Sequence, residues 1–157
     1  MDDRLFRDAM GKFATGVTVL LTENDGEKHG MTANGFMSVS LDPKLVVISI
    51  GHKAKFLEKV SQSKKFTVNI LAEDQERYSR HFAGGPEEKV EFGTLAELPV
   101  LTGAIAQIAC EVVSEHVEGD HTLIVGKVVD LHLEDKNPLL FYCGKYRKMT
   151  ELEKIES

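Results

Sequence analysis

Residues 104–133, AIAQIACEVVSEHVEGDHTLIVGKVVDLHL, decide how this chain folds. Two β-branched runs, Ala104 to Val117 and His121 to Leu133, flank the turn signal Glu118-Gly119-Asp120, the pattern of a long hairpin. Ile108, Cys110 and Val112 alternate along the first arm, so they share one face of a strand. Cys110 is therefore expected inside the core, as a structural thiol rather than a nucleophile.

The same reading extends outward on both sides. Val17 to Thr22 is strand-like, and Asn24-Asp25-Gly26 turns it back through Lys28 to Asn34, a short-turn hairpin. Leu45 to Ile50 is apolar on both faces and is expected to be buried; Phe66 to Leu71 and Leu139 to Cys143 complete the strands. Three helices are predicted. The first, Asp3 to Ala14, places Leu5, Phe6, Ala9, Met10 and Phe13 on one stripe, with Asp2 or Asp3 as its cap. The others run from Lys53 to Ser63 and from Asp74 to Phe82, and Ala83 to Pro99 reads as a surface loop. Six or seven strands with no long helix between successive ones exclude a doubly wound sheet. They predict a mainly β fold, an antiparallel barrel with short decorating helices.

Composition narrows the function. The 157 residues predict a single domain. With 19 basic and 25 acidic side chains the net charge is −6, which argues against a nucleic-acid binder. The longest apolar run, Leu139 to Cys143, is five residues, against about 20 for a membrane helix. Cys110 and Cys143 form no Cys-x-x-Cys and no disulfide framework. A soluble, reduced, cytoplasmic protein is expected. The sequence holds no dinucleotide fingerprint, P-loop or nucleophile elbow. Its six histidines, at 29, 52, 81, 116, 121 and 132, show no metal-binding pair. His116 and His121 read as exposed turn residues on spacing alone.

One stretch is unusual. Gly30-Met31-Thr32-Ala33-Asn34-Gly35-Phe36-Met37-Ser38-Val39-Ser40 sets four hydroxyl or amide side chains among small residues. It reads as the polar face of an edge strand, or as a strand that admits a flat heteroaromatic ligand to its backbone.

Six stretches, in order along the chain, resemble the flavin reductase-like, FMN-binding split-barrel family. They are Phe13 to Val19, Gly30 to Asn34, Ser38 to Pro43, Phe66 to Leu71, Gly119 to Thr122, and Pro138 to Phe141 with Gly144 to Tyr146. Within it the chain is most similar to the small reductase component of two-component flavin monooxygenases, such as phenol or 4-hydroxyphenylacetate hydroxylase. The resemblance implies a homodimeric antiparallel split β-barrel that oxidises NADH or NADPH and reduces FAD or FMN. A separate monooxygenase would receive the reduced flavin. The family match carries Thr32, Ala33, Asn34, Ser38, Val39 and Ser40 over as flavin contacts. It aligns His121 with a nicotinamide-binding histidine, and Lys145, Tyr146 and Arg147 with a region near the nicotinamide nucleotide. His81 and Phe82 match more loosely a helix end near the site. Where relatives carry a Ser/Thr-rich phosphate segment, this chain has His52-Lys53-Ala54-Lys55-Phe56. Lys53 and Lys55 can meet a phosphate as point charges, at a helix start that favours an anion; the substitution leaves FAD against FMN open. Hydride transfer passes between cofactors, so no catalytic side chain is expected. Two other functions remain open: a flavoprotein with permanently bound flavin that reduces another acceptor, and a non-catalytic flavin- or haem-binding module.

Overall fold

The computed structural model describes residues 1–150. Helix α1 (Asp3–Gly11) leads into strands β1 (Thr15–Gly16), β2 (Thr18–Asn24), β3 (Glu27–Ala33), β4 (Phe36–Leu41) and β5 (Lys44–Gly51). Helix α2 (Lys55–Ser63), β6 (Lys65–Ile70) and α3 (Glu76–Phe82) follow. The remainder is β7 (Phe92–Leu95), β8 (Leu98–Leu101), β9 (Ala106–Glu118), β10 (His121–Leu133), β11 (Leu139–Tyr142) and β12 (Lys145–Lys148).

The long hairpin forms as its sequence predicts. β9 and β10 pair antiparallel from His121 opposite Glu118 to Leu133 opposite Ala106, and they lie inside a seven-stranded sheet ordered β3-β2-β6-β9-β10-β5-β4. Its outermost strands, β3 and β4, are consecutive in the chain and joined by Asn34-Gly35. The sheet therefore curls until its two edges meet at that corner, yet they do not pair with one another. Helix α2 packs against β2, β3 and β5, from both sides of the split. Its Phe56 and Val60 are buried with Leu20, Ile48, Ile50, Phe66, Cys110 and Ile124.

β2 is buried on both faces. Leu20 joins that core, whereas Val19 and Leu21 join a second cluster with Leu71, Tyr78, Leu101 and Leu139. The buried amide of Asn69 ties the layers together: Nδ2 donates to the Val19 carbonyl at 3.0 Å, and Oδ1 accepts from the Leu101 N–H at 2.9 Å. Among the described residues no helix is long and apolar enough to cross a membrane.

Several expectations need correction. The segment Ala83 to Pro99 is not all loop, because Phe92–Leu95 and Leu98–Leu101 form a hairpin. Its turn, Ala96-Glu97, has positive φ (50° and 66°) at residues that rarely adopt it, so no glycine or asparagine marks it. The basic segment after Cys143 is a strand, β12, folded back on β11. Gly30 to Ser40 is two strands on opposite edges of the sheet, not one. In β5 only Val46, Ile48 and Ile50 are buried; the alternate face is half-buried. Helix α1, capped by the Asp2 carboxylate at 2.8 Å from the Arg4 N–H, ends at Gly11 and buries none of its residues.

Candidate functional site at the sheet corner

The corner at Asn34-Gly35 opens onto a cleft of about 860 Å³. Met10 and Phe13 from the α1 end and Phe141 from β11 give it apolar walls, and Asn34, Ser49 and His121 supply polar groups. Its size and its few polar groups suit a small-molecule site. Gly35 makes the corner possible. Its carbonyl accepts the Ser49 N–H at 2.8 Å, and a Cβ there would lie 2.8 Å from that of Ser49. Only a residue without a side chain lets β3 turn so tightly onto β5.

A smaller cleft, about 200 Å³, adjoins the first through Asn34 and Phe141. Thr32, Ala33, Ser79 and Tyr146 line it. The Thr32 hydroxyl donates to the Ser79 carbonyl at 2.6 Å, and the Ser79 and Tyr146 hydroxyls share a hydrogen bond at 2.6 Å. Strand β3, helix α3 and strand β12 are thereby locked around it. The Arg80 guanidinium lies 4.8 Å from the centre of the Tyr146 ring.

His121 opens β10 opposite Gly51. Its Nδ1 is 2.7 Å from a carboxylate oxygen of Asp120, which fixes the ring and leaves Nε2 available. The hydrogen bond to His121, and then the charge on that ring, hold the exposed Asp120 carboxyl below its usual range. The turn is anchored behind them, since the His52 N–H donates to the Asp120 carbonyl at 2.9 Å and His52 Nε2 lies 3.0 Å from the Thr122 hydroxyl.

The structure thus brings Thr32, Ala33, Asn34, His121 and Tyr146 into two connected clefts. Ser38, Val39 and Ser40 line neither; they lie across the split on β4, where the register shifts around Val39. Lys145 and Arg147 are exposed and alternate with Tyr146 along β12, so they leave its opposite face. Lys53 is exposed in the turn before α2. Lys55, His81 and Phe82 meet at a separate cleft beyond that helix.

Met10, Phe13, Ser49, Ser79 and Phe141 were not foreseen as site residues. The α1 stripe reads as core in any pattern analysis, and Phe141 reads as ordinary strand. Ser49 carried the one signal, a hydroxyl interrupting the apolar run of β5. Burial raises the Cys110 thiol to about 12, as befits a structural cysteine with no reactive thiolate.

Residues 10–150 match the model of the "Flavin reductase like domain" family, and the chain belongs to that family. It is 46% identical over 155 residues to an NADH-dependent flavin reductase of a Rhodococcus species, covering 96% of this chain and 88% of the relative. It is 39% identical over 145 residues to the reductase component of 4-hydroxyphenylacetate 3-monooxygenase from Thermus thermophilus, covering 92% and 95%. The native-state structure of the flavin reductase PheA2 superposes with a TM-score of 0.94 at 59% identity, covering 96% of this chain and all of that one.

Proposed function

We propose that this chain is an NADH-dependent flavin reductase that hands reduced FAD or FMN to a separate monooxygenase in the cytoplasm, working as a one-domain homodimer. The observation that carries the reading is the apolar cleft at the Asn34-Gly35 corner, in a chain of this family. An isoalloxazine ring suits what lines the cleft: no side-chain bulk at Gly35, apolar walls from Met10, Phe13 and Phe141, and polar groups from Arg7, Thr15, Asn34, Ser49 and His121.

Asn34, with Thr32 and Ala33 beside it, holds the polar edge of the ring. The outward N–H groups of edge strand β3 are unpaired within the sheet and add donors where negative charge develops. Ser38, Val39 and Ser40 flank the same corner from the facing edge. Lys53 and Lys55 serve the phosphate. His121, aimed by Asp120, grips the nicotinamide nucleotide, with Tyr146 closing the adjoining cleft, while Lys145 and Arg147 lie on the opposite face of β12. Bound flavin supplies the two-electron acceptor for hydride from NADH. The side chains here bind and orient, and none needs to exchange a proton.

The α1 face completes the argument for assembly. Leu5, Phe6, Met10 and Phe13 are 54–79% exposed in the single chain, an apolar surface that suits burial against a second copy.

Mixing the protein with NADH and a large excess of free flavin, and following the nicotinamide absorbance, tests the function. Turnover of many flavins per chain is expected. Reduction that stops at one flavin per chain would instead indicate a flavoprotein with another acceptor. No reduction would leave a binding module.

A further inference from the structure

The tip of the β9–β10 hairpin overhangs the sheet. β6 pairs with β9 only from Ala106 to Glu111, and β5 ends at Gly51, opposite His121. Beyond Val112, β9 keeps β10 as its one strand neighbour among the described residues. A two-stranded ribbon is marginally stable on its own. This one carries His121, whose ring has to be held still to serve the corner cleft.

Two side chains tie the overhang back, both to the α2 segment. At the far end of the helix, the Glu115 carboxylate accepts from the Ser61 hydroxyl at 2.6 Å and from the Lys64 ammonium at 3.1 Å. In the turn before the helix, His52 makes two contacts. Its N–H donates to the Asp120 carbonyl, and its Nε2 meets the Thr122 hydroxyl. These fall one residue before and one residue after His121, so His52 brackets it.

The bracket depends on the side chain. Any residue but proline at position 52 offers the N–H, whereas the contact with Thr122 needs a polar group at imidazole reach. Thr122 is only 5% exposed, so its hydroxyl has little water to turn to if that partner is lost. The His121 ring itself lies over Gly51, with Nε2 3.6 Å from where a Cβ would stand. The ring thus rests on the residue that leads directly into His52. His52 lines neither of the two connected clefts, so its influence on a molecule bound there passes through the hairpin tip.

We propose that His52 is a positioning residue for nicotinamide-nucleotide binding: by holding Asp120 and Thr122 it fixes the His121 imidazole at the corner cleft. The kinetic consequence rests on the flavin reductase reading; the orientation of the ring can be measured whatever the activity.

A double-mutant cycle of His52→Ala and His121→Ala on the full chain tests it. His52→Ala is expected to raise the KM for NADH about two- to fivefold, with kcat and flavin affinity nearly unchanged, the pattern of weakened uniform binding. In the His121→Ala background the same change should raise KM by less than about 1.5-fold, because two residues that act through one contact are not additive. His52→Gln, which keeps an amide within reach of Thr122, should restore most of the wild-type KM. Glu115→Ala is the control for simple loosening of the ribbon, since Glu115 pairs opposite Ile124, away from His121; its KM should stay near that of the wild type. Nitrogen NMR of the histidine rings gives a readout independent of activity. The His121 resonances, identified by their loss in His121→Ala, should shift or broaden in His52→Ala and hold in Glu115→Ala. Additive effects on KM overturn the proposal, as do an equal rise in Glu115→Ala or His121 resonances unchanged in His52→Ala. Should His52→Ala fail to fold, Thr122→Val removes the same hydrogen bond from its other end. Failure of NADH to reduce either flavin would sink the proposed function, and the ring resonances would still decide whether His52 holds His121.

Discussion

The stripe on α1 and the alternation along β9 are equally plain in the sequence, and they end in opposite surroundings. Cys110 of β9 is buried with Phe66 and Ile124, and Ile108 and Val112 of the same face pack partly buried against that core, within strands paired on both sides. Leu5, Phe6 and Met10 of α1, and Phe13 just beyond it, meet solvent in the single chain. Apolar periodicity records that a face is to be covered. It does not record whether the cover comes from the same chain, a second copy or a ligand.

The deepest part of that contrast is Phe66, fully buried where β6 meets β9. Phe66→Ala is expected to destabilise the fold by about 3–5 kcal/mol, the cost of a large cavity, as read by urea denaturation. A loss below about 1 kcal/mol would mean that the core is far looser than its burial indicates.

The opposite result is expected on α1. Leu5→Asp combined with Phe6→Asp should leave the unfolding free energy of a dilute monomer within about 0.5 kcal/mol, as for exposed sites generally. Sedimentation should shift from a dimer to a species of 17.4 kDa. If the wild type is already a monomer at micromolar concentration with full reductase activity, the covering partner for α1 is not a second copy.

The strands and helices that bury a face of their own were legible because period 2 or 3.6 is written directly in the residue order. β10 keeps its predicted limits, and β2, β5 and β6 keep theirs to within a residue or two. What escaped depends on contacts between distant segments. β8 is apolar enough, with Leu98, Val100 and Leu101 buried, but its turn uses Ala96 and Glu97 at positive φ and gives no local signal. The split into β3 and β4 is marked in Gly30 to Ser40 only by Asn34-Gly35, a break signal, and nothing local shows that the sheet order sends the two halves to opposite edges. Asn34, Thr32 and His121 emerged from family motifs, whereas Phe13 and Phe141 became site residues only through tertiary packing.

The tip of the β9–β10 hairpin is the third environment, polar and exposed, and there the smallest effect is expected. His121→Ala should raise the KM for NADH about two- to tenfold, in line with the roughly 0.5–1.5 kcal/mol of one hydrogen bond. It should leave kcat and flavin affinity nearly unchanged, the mark of lost uniform binding. The pair with Asp120 sets the pH range of this effect. Because His121 holds that carboxyl below its ordinary value, the folded chain binds the proton less readily than the unfolded one. The stabilisation is therefore present above the unfolded pKa, about 3.9, and is lost as pH falls through the lower folded value. Across the neutral range Asp120 stays ionised and His121 stays oriented. Asp120→Asn keeps an oxygen that can accept from Nδ1 but removes the charge, so its KM should rise less than that of His121→Ala. A collapse of kcat at saturating NADH in His121→Ala would move the imidazole from binding into the transition state. Unchanged kcat and KM would return it to the exposed turn residue that its spacing alone describes.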